Sequence, residues 1–207
     1  MFSRTTLAGA VASISTLMTQ NRDYLVQLDQ VNGDGDLGIS MDDGFRALSA
    51  SLEASTEDDL GQLLRASAKV FNQSAPSSLG TIISFALMGM AKALRGKTEA
   101  EFAEIAQALL EGVHNIMVKA ESKPGEKTIL DALVPGAEAL LAHVGLAPAE
   151  AAKLAADAAA EGSEATKQMV AVHGRAAYSA ARSVGILDGG SVVGRLIFEG
   201  IADYLNA

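Results

Sequence analysis

The chain has 207 residues, 49% of them hydrophobic and 20% charged, and a formal net charge of −9. That length suffices for one domain with a substantial core. The acidic balance, 4% aromatic content and lack of Trp argue against a nucleic-acid partner, and the lack of Cys excludes disulfides, thiolate metal ligands and a cysteine nucleophile.

No run of about 18 uncharged apolar residues is present, so no membrane span is expected. With no cysteine, the chain fits a cytoplasmic protein. The N-terminal MFSRTTLAGAVASISTLM carries one Arg and no clear cleavage pattern, and it reads as a first helix. LDQVNGDGDLGISM (28–41) follows, with Asp29, Asp34 and Asp36 inside eight residues, among Gly33, Gly35 and Gly38. Thr56 with Asp59 has the spacing of a capping box and starts a helix with Leu60, Leu63, Leu64, Ala68 and Phe71 on its inner face. Pro76-Ser77-Ser78 opens the next, which runs to about Leu94 and ends at Gly96.

Thr98 and Glu101 form a second capping box. They start a helix over 98–118 with Phe102, Ile105, Leu109, Val113, Ile116 and Met117 in one apolar stripe. A helix over Lys127–Val144 is expected to be disturbed at Pro135. Pro148 suits the first turn of an Ala-rich helix to about Val172. The last helix runs from about Ser191 to Leu205, with Val192, Val193, Leu196, Ile197, Ile201 and Leu205 facing in. No alternation of period two is visible. The fold class is all-α, with about eight helices in a compact antiparallel bundle or closed barrel, and residues 1–207 form a single domain.

The breaks between helices are polar and glycine-rich: 31–38, 72–80, 121–128, 173–177 and 186–191. Gathered at one end of an antiparallel bundle, they would build one site from helix N-termini, glycines, three Asp and two or three cations. Helix N-termini and glycine backbones suit phosphate. Carboxylates and phosphates repel, so the aspartates fit that site only with a divalent cation such as Mg²⁺ between them. A plain Asp/Gly turn is the bland alternative. An EF-hand from Asn32 fails, because position six is Leu37 and position twelve is Asp43. GEKT (125–128) lacks the paired glycines and preceding strand of a P-loop.

NRDYLVQLDQVNGDGDLGISMDDGF (21–45), KPGEKTILDAL (123–133) and GRAAYSAARSVGILDGG (174–190) together resemble the nucleotide-binding L subunit, or C-terminal domain, of the dihydroxyacetone kinases. The similarity runs in the same order over nearly the whole chain. It implies a barrel of eight antiparallel helices with ADP or ATP at one mouth, where Asp29, Asp34 and Asp36 hold two Mg²⁺ ions. It also implies phosphate contacts from Leu37, Gly38, Ile39 and Ser40. Nucleotide contacts are implied from Ser74 and Ala75, from Thr128 and Ile129, from Arg175, and from Asp188, Gly189 and Gly190. The 72–80 loop is less glycine-rich than the family's, which leaves Ser74, Ser77 and Ser78 as competing serines. Asp188-Gly189-Gly190-Ser191 stands where the family usually has Asp-Pro-Gly-Ala.

The resemblance further implies a ketose held covalently on a separate K subunit, so His114, His143 and His173 are not that subunit's histidine. His173 is nonetheless next to the expected mouth. Transfer would proceed by positioning and charge neutralisation, with Arg175 as the catalytic cation and Lys127 as a weaker candidate. ATP could exchange at each turnover, or a retained ADP could be rephosphorylated by a phosphotransferase-system phosphoprotein. The K partner would choose the acceptor, dihydroxyacetone or another short ketose such as erythrulose. A homodimer is left open. The rival readings are a non-catalytic helical module for nucleotide or Ca²⁺, and a lipid-associated helical protein.

Overall fold

The computed structural model describes residues 1–207, except the side chains of residues 179–181. Eight long helices follow one another: α1 (Arg4–Asp29), α2 (Leu37–Ala54), α3 (Leu60–Ser74), α4 (Ser78–Ala93), α5 (Phe102–Ala120), α6 (Leu130–Ala142), α7 (Pro148–Ala165) and α8 (Gly189–Asn206). Short 3₁₀ stretches at Thr166–Gln168 and Arg175–Ser183 lie in the one long connection, between α7 and α8. Each helix packs on the next, and α8 packs back on α1, so the ring closes. Fully buried Met18, Leu25, Met41, Leu48, Phe71 and Phe198 fill it. An apolar cavity of about 160 Å³ remains inside, between Val11, Ile14, Phe45, Leu48, Val113 and Phe198 among others. Among the described residues, no helix is long and apolar enough to cross a membrane.

Several boundaries differ from those read in the sequence. The acid of each expected capping box is itself the N-cap. Asp59 accepts from the Gln62 N–H at 3.0 Å, and α3 begins at Leu60. Glu101 caps α5, with its own N–H donating to Glu104 Oε2 at 2.8 Å. Thr56 and Thr98 are therefore outside the helices. The residues before α5 instead form a two-residue strand, β2 (Glu99–Ala100), antiparallel to β1 (Phe2–Ser3), and Phe2 stacks on Phe102 at 5.6 Å.

The helix expected from Lys127 starts three residues later, because Lys127 has φ +61° and its side chain is tied elsewhere. Pro135 sits inside α6 without ending it. α7 ends at Ala165, seven residues before the expected Val172, as the chain tightens into the 3₁₀ turn.

Short loops force neighbouring helices to run antiparallel, so the N-termini of α2, α4, α6 and α8 share one end of the ring. At the opposite end hydrogen bonds tie the loops together. Arg4 donates to the Ser55 carbonyl at 2.6 Å, the Leu60 N–H to the Lys97 carbonyl at 2.7 Å, and the Gly96 N–H to Asp59 Oδ2 at 3.1 Å.

Candidate functional site

At the end where the even-numbered helices begin lies an open pocket of about 920 Å³. All five glycine-rich breaks contribute to it. Asp29, Asp34, Asp36, Leu37 and Ser40 line it, as do Thr128, Ile129, Arg175, Asp188, Gly189 and Gly190.

The acidic corner is built locally. α1 ends at Asp29, whose Oδ2 accepts the Gly35 N–H at 2.8 Å and so folds the loop back on the helix end. Gly35 makes the reversal at φ +80°, and Gly33 lies so close that a Cβ there would be 2.1 Å from Asp29 Oδ1. Asp36 is the N-cap residue of α2, but its side chain makes no capping bond. One carboxylate oxygen from each of Asp29, Asp34 and Asp36 falls within 4.8 Å of the others. Partial desolvation, then the charges of Asp34 and Asp29, raise the Asp36 carboxyl above the usual carboxylate range, while Arg175 opposes the rise. Three oxygen donors held together at the cost of mutual repulsion fit a hard divalent cation. Arg175 meets this corner from the α7–α8 connection, with Nη2 at 2.5 Å from Asp34 Oδ2.

The rest of the mouth is a set of helix starts. Ser77 caps α4 by accepting the Gly80 N–H at 3.1 Å. Asp131 closes the 123–131 loop, accepting from the Gly125 N–H at 2.5 Å and the Thr128 N–H at 2.7 Å. Asp188 caps α8 by accepting from the Ser191 N–H at 2.7 Å, and burial pushes its carboxyl up to about 6.

Lys127, only 5% exposed, lies under the pocket. Its Nζ donates to the carbonyls of Thr166 at 2.5 Å and Ile186 at 2.6 Å, and burial pulls its ammonium below the usual lysine range. This cation therefore braces the α7–α8 connection rather than reaching into the mouth. On the rim, Glu126 Oε2 accepts from His173 Nε2 at 2.6 Å and from the Lys123 N–H at 3.0 Å. The Lys123 bond first, then His173, hold that carboxyl down at about 2.

Some expected site residues are elsewhere. Gly38 packs at the α1–α2 crossing, where a Cβ would be 2.1 Å from the Arg22 carbonyl oxygen, and the Ile39 side chain is exposed. Ser74 and the buried Ala75 do not line the pocket, whereas Ser77 and Ser78 do. His143 Nδ1 contacts the Ala139 carbonyl at the end of α6, and His114 is exposed on α5. The sequence reading missed an apolar wall of Leu79, Ile82 and Ala120, which with Ile116 faces the pocket from α4 and α5. The only available signal was that these residues fall on apolar stripes at the mouth ends of their helices.

A closed up-and-down helical barrel with carboxylates and helix N-termini at one mouth defines a class of protein suited to gripping an anion through a cation. The chain belongs to the DAK2 domain family, whose domain matches residues 31–203. It is 29% identical over 196 residues to the PEP-dependent dihydroxyacetone kinase 2, ADP-binding subunit DhaL, of Listeria innocua, covering 93% of this chain and 91% of that protein. The ADP-binding subunit DhaL of Escherichia coli is 27% identical over 191 residues, covering 91% of each. The chain spans about a third of longer relatives. L-erythrulose kinase of Pectobacterium atrosepticum is 28% identical, with 97% of this chain and 35% of that protein covered. The crystal structure of the dihydroxyacetone kinase of C. freundii superposes with a TM-score of 0.77 at 22% identity, over 98% of this chain and 35% of that one. The same kinase in complex with AMP-PNP and Mg²⁺ gives 0.75 at 23%, over 95% and 33%. The expected family and the all-α barrel are thus borne out.

Proposed function

We propose that residues 1–207 act as one nucleotide-binding domain. It holds ADP or ATP at this mouth with two Mg²⁺ ions, and serves as the phosphoryl-transfer subunit of a kinase for dihydroxyacetone or a similar short ketose. The observation that carries the reading is the convergence of Asp29, Asp34 and Asp36 with the starts of α2, α4, α6 and α8 on one pocket. The names of the relatives support the chemistry.

Asp29, Asp34 and Asp36 would hold the metal. Bound there, Mg²⁺ supplies the positive charge that lets carboxylates and phosphates share one site. Leu37 and Ser40, Thr128–Ile129 and Asp188–Gly190, with Ser77 and Ser78 rather than Ser74 and Ala75, would surround the phosphates and sugar. Leu79, Ile82, Ile116 and Ala120 offer a dry wall to the base. Arg175, paired with Asp34 and largely exposed, would neutralise charge on the transferred group. No side chain is required as a nucleophile.

The acceptor rides on a separate ketose-binding K subunit. Three of the relatives are named PEP-dependent, ADP-binding subunits, which favours a retained ADP rephosphorylated by a phosphotransferase-system phosphoprotein in the cytoplasm. The test is to denature the purified chain, identify released nucleotide and metal, then titrate the stripped chain with ADP. Retained ADP and binding that needs Mg²⁺ are expected. Ca²⁺ binding with no nucleotide affinity would replace this reading with the non-catalytic module.

A further inference from the structure

Charge is distributed unevenly along the chain. Residues 60–98 hold five cations (Arg65, Lys69, Lys92, Arg95 and Lys97) and no Asp or Glu, while the rest of the chain holds the other 11 cations and all 25 acids. This stretch is essentially α3 and α4, side by side in the ring. Lys97 is paired with Glu104 at 2.6 Å, and Arg95 lends its charge to Asp59. Arg65, Lys69 and Lys92 are exposed and have no ion pair among the described residues.

Between the two helices runs an open groove of about 550 Å³. Arg65, Lys69 and Asn72 stand on its α3 side, at steps of four and three residues. Thr81, Phe85 and Met88 stand on its α4 side at the same steps. Met88 is 43% exposed and Phe85 half-buried, so the floor is apolar and the edge cationic. Asn72 and Thr81, joined by a Thr81 Oγ1–Asn72 Oδ1 hydrogen bond of 3.3 Å, also line the nucleotide pocket, so the groove abuts the mouth.

A basic edge over an apolar floor, on a protein otherwise rich in uncompensated carboxylates, selects a particular occupant. Nucleic acid would meet the repulsion of the whole chain and has no use for the apolar floor. A second copy offering its acidic side would make a head-to-tail contact, which builds a ring or an open filament rather than a two-fold dimer. We propose that the α3–α4 groove is a docking surface for an acidic amphipathic segment of a partner protein. Its apolar side chains would lie on Phe85 and Met88, and its carboxylates on Arg65 and Lys69. A segment seated there stands at the edge of the phosphate site.

The test uses the full chain and a fluorescein-labelled helix-forming peptide with a leucine stripe flanked by glutamates, read by anisotropy. Saturable binding to the unmodified chain is expected. Arg65→Glu/Lys69→Glu should weaken it at least about tenfold at about 0.05 M salt, with the gap shrinking at about 0.5 M. Met88→Ser should weaken binding at both salt concentrations. The charge-matched Lys119→Glu/Lys153→Glu, on α5 and α7, should bind as the unmodified chain does. Circular dichroism of every variant reports folding, and a failure of the nucleotide reading would appear in a separate ADP titration without touching the peptide result. The proposal is overturned if the unmodified chain does not bind the peptide, or if both double variants lose affinity equally. It is also overturned if the same two cations instead govern binding of duplex DNA, of phosphatidylglycerol vesicles, or self-association seen in sedimentation.

Discussion

Gly162 lies inside α7, and helix propensity alone says that Gly162→Ala should stabilise the protein by up to about 1 kcal/mol. The packing says the opposite. An added Cβ would fall 2.0 Å from the Asp131 carbonyl oxygen and 2.8 Å from Pro135 Cγ on α6. The cause is Pro135. It has no N–H for the carbonyl four residues back, so the Asp131 oxygen turns toward α7, and only a glycine lets the α7 backbone meet it.

An ordinary carbon–oxygen contact is about 3.3 Å, so relieving the clash requires α6 and α7 to separate by roughly 1 Å. Overpacking of this kind costs about 1–3 kcal/mol. Set against the propensity gain, the net loss is up to about 2 kcal/mol, which lowers Tm by up to about 8 °C for a chain of this size. Because α6 carries Thr128 and Ile129 at its start, the same shift should weaken ADP binding with no pocket side chain changed.

Differential scanning fluorimetry of Gly162→Ala beside Gly145→Ala decides the matter. At Gly145 a Cβ meets nothing within 4 Å, and the change should be neutral or stabilising by about 0.4–1 kcal/mol. If both variants melt higher than the parent, the account of the α6–α7 contact is wrong.

Three further outcomes follow from the site. Asp34→Ala and Asp36→Ala should each cut Mg²⁺-dependent ADP affinity by about a hundredfold or more, since losing even an outer-shell partner costs 10–100-fold; calorimetric titration with Mg²⁺ and with EDTA measures it. Lys127→Met should cost about 3 kcal/mol, because it strands the Thr166 and Ile186 carbonyls and leaves Asp188 uncompensated. A Tm drop of about 6–12 °C checks it. Glu126 has a folded pKa of about 2, below its unfolded value of 4.5. Its contribution to stability is therefore present above about pH 4.5 and is lost as pH falls toward 2. Glu126→Gln should flatten acid unfolding across that window, followed by circular dichroism.

What the sequence disclosed and what it hid divide along physical lines. Stripes such as Phe102, Ile105, Leu109 and Val113 announce a helix because burial follows the helical period. Helix starts were displaced at Asp59 and Glu101 because hydroxyls and carboxylates compete for the same orphan N–H groups, and the residue next to the first apolar side chain packed on the core wins. Lys127 looked helical because its neighbours do. Its left-handed backbone goes with hydrogen bonds to residues 166 and 186, which no local pattern contains.

The aspartates of 29–36 were legible as three like charges in one glycine-rich bend, a pattern that a plain turn shares and that the pocket they line together with the helix N-termini sets apart. Leu79, Ile82 and Ala120 were not, because an apolar side chain at a helix end looks the same whether protein or ligand will cover it. Connectivity supplies the remaining link. In a closed ring of eight antiparallel helices, every even-numbered N-terminus faces the end where α1 stops, and α1 stops at Asp29. Helix order together with the chemistry of one loop therefore locates the mouth before any side chain is placed.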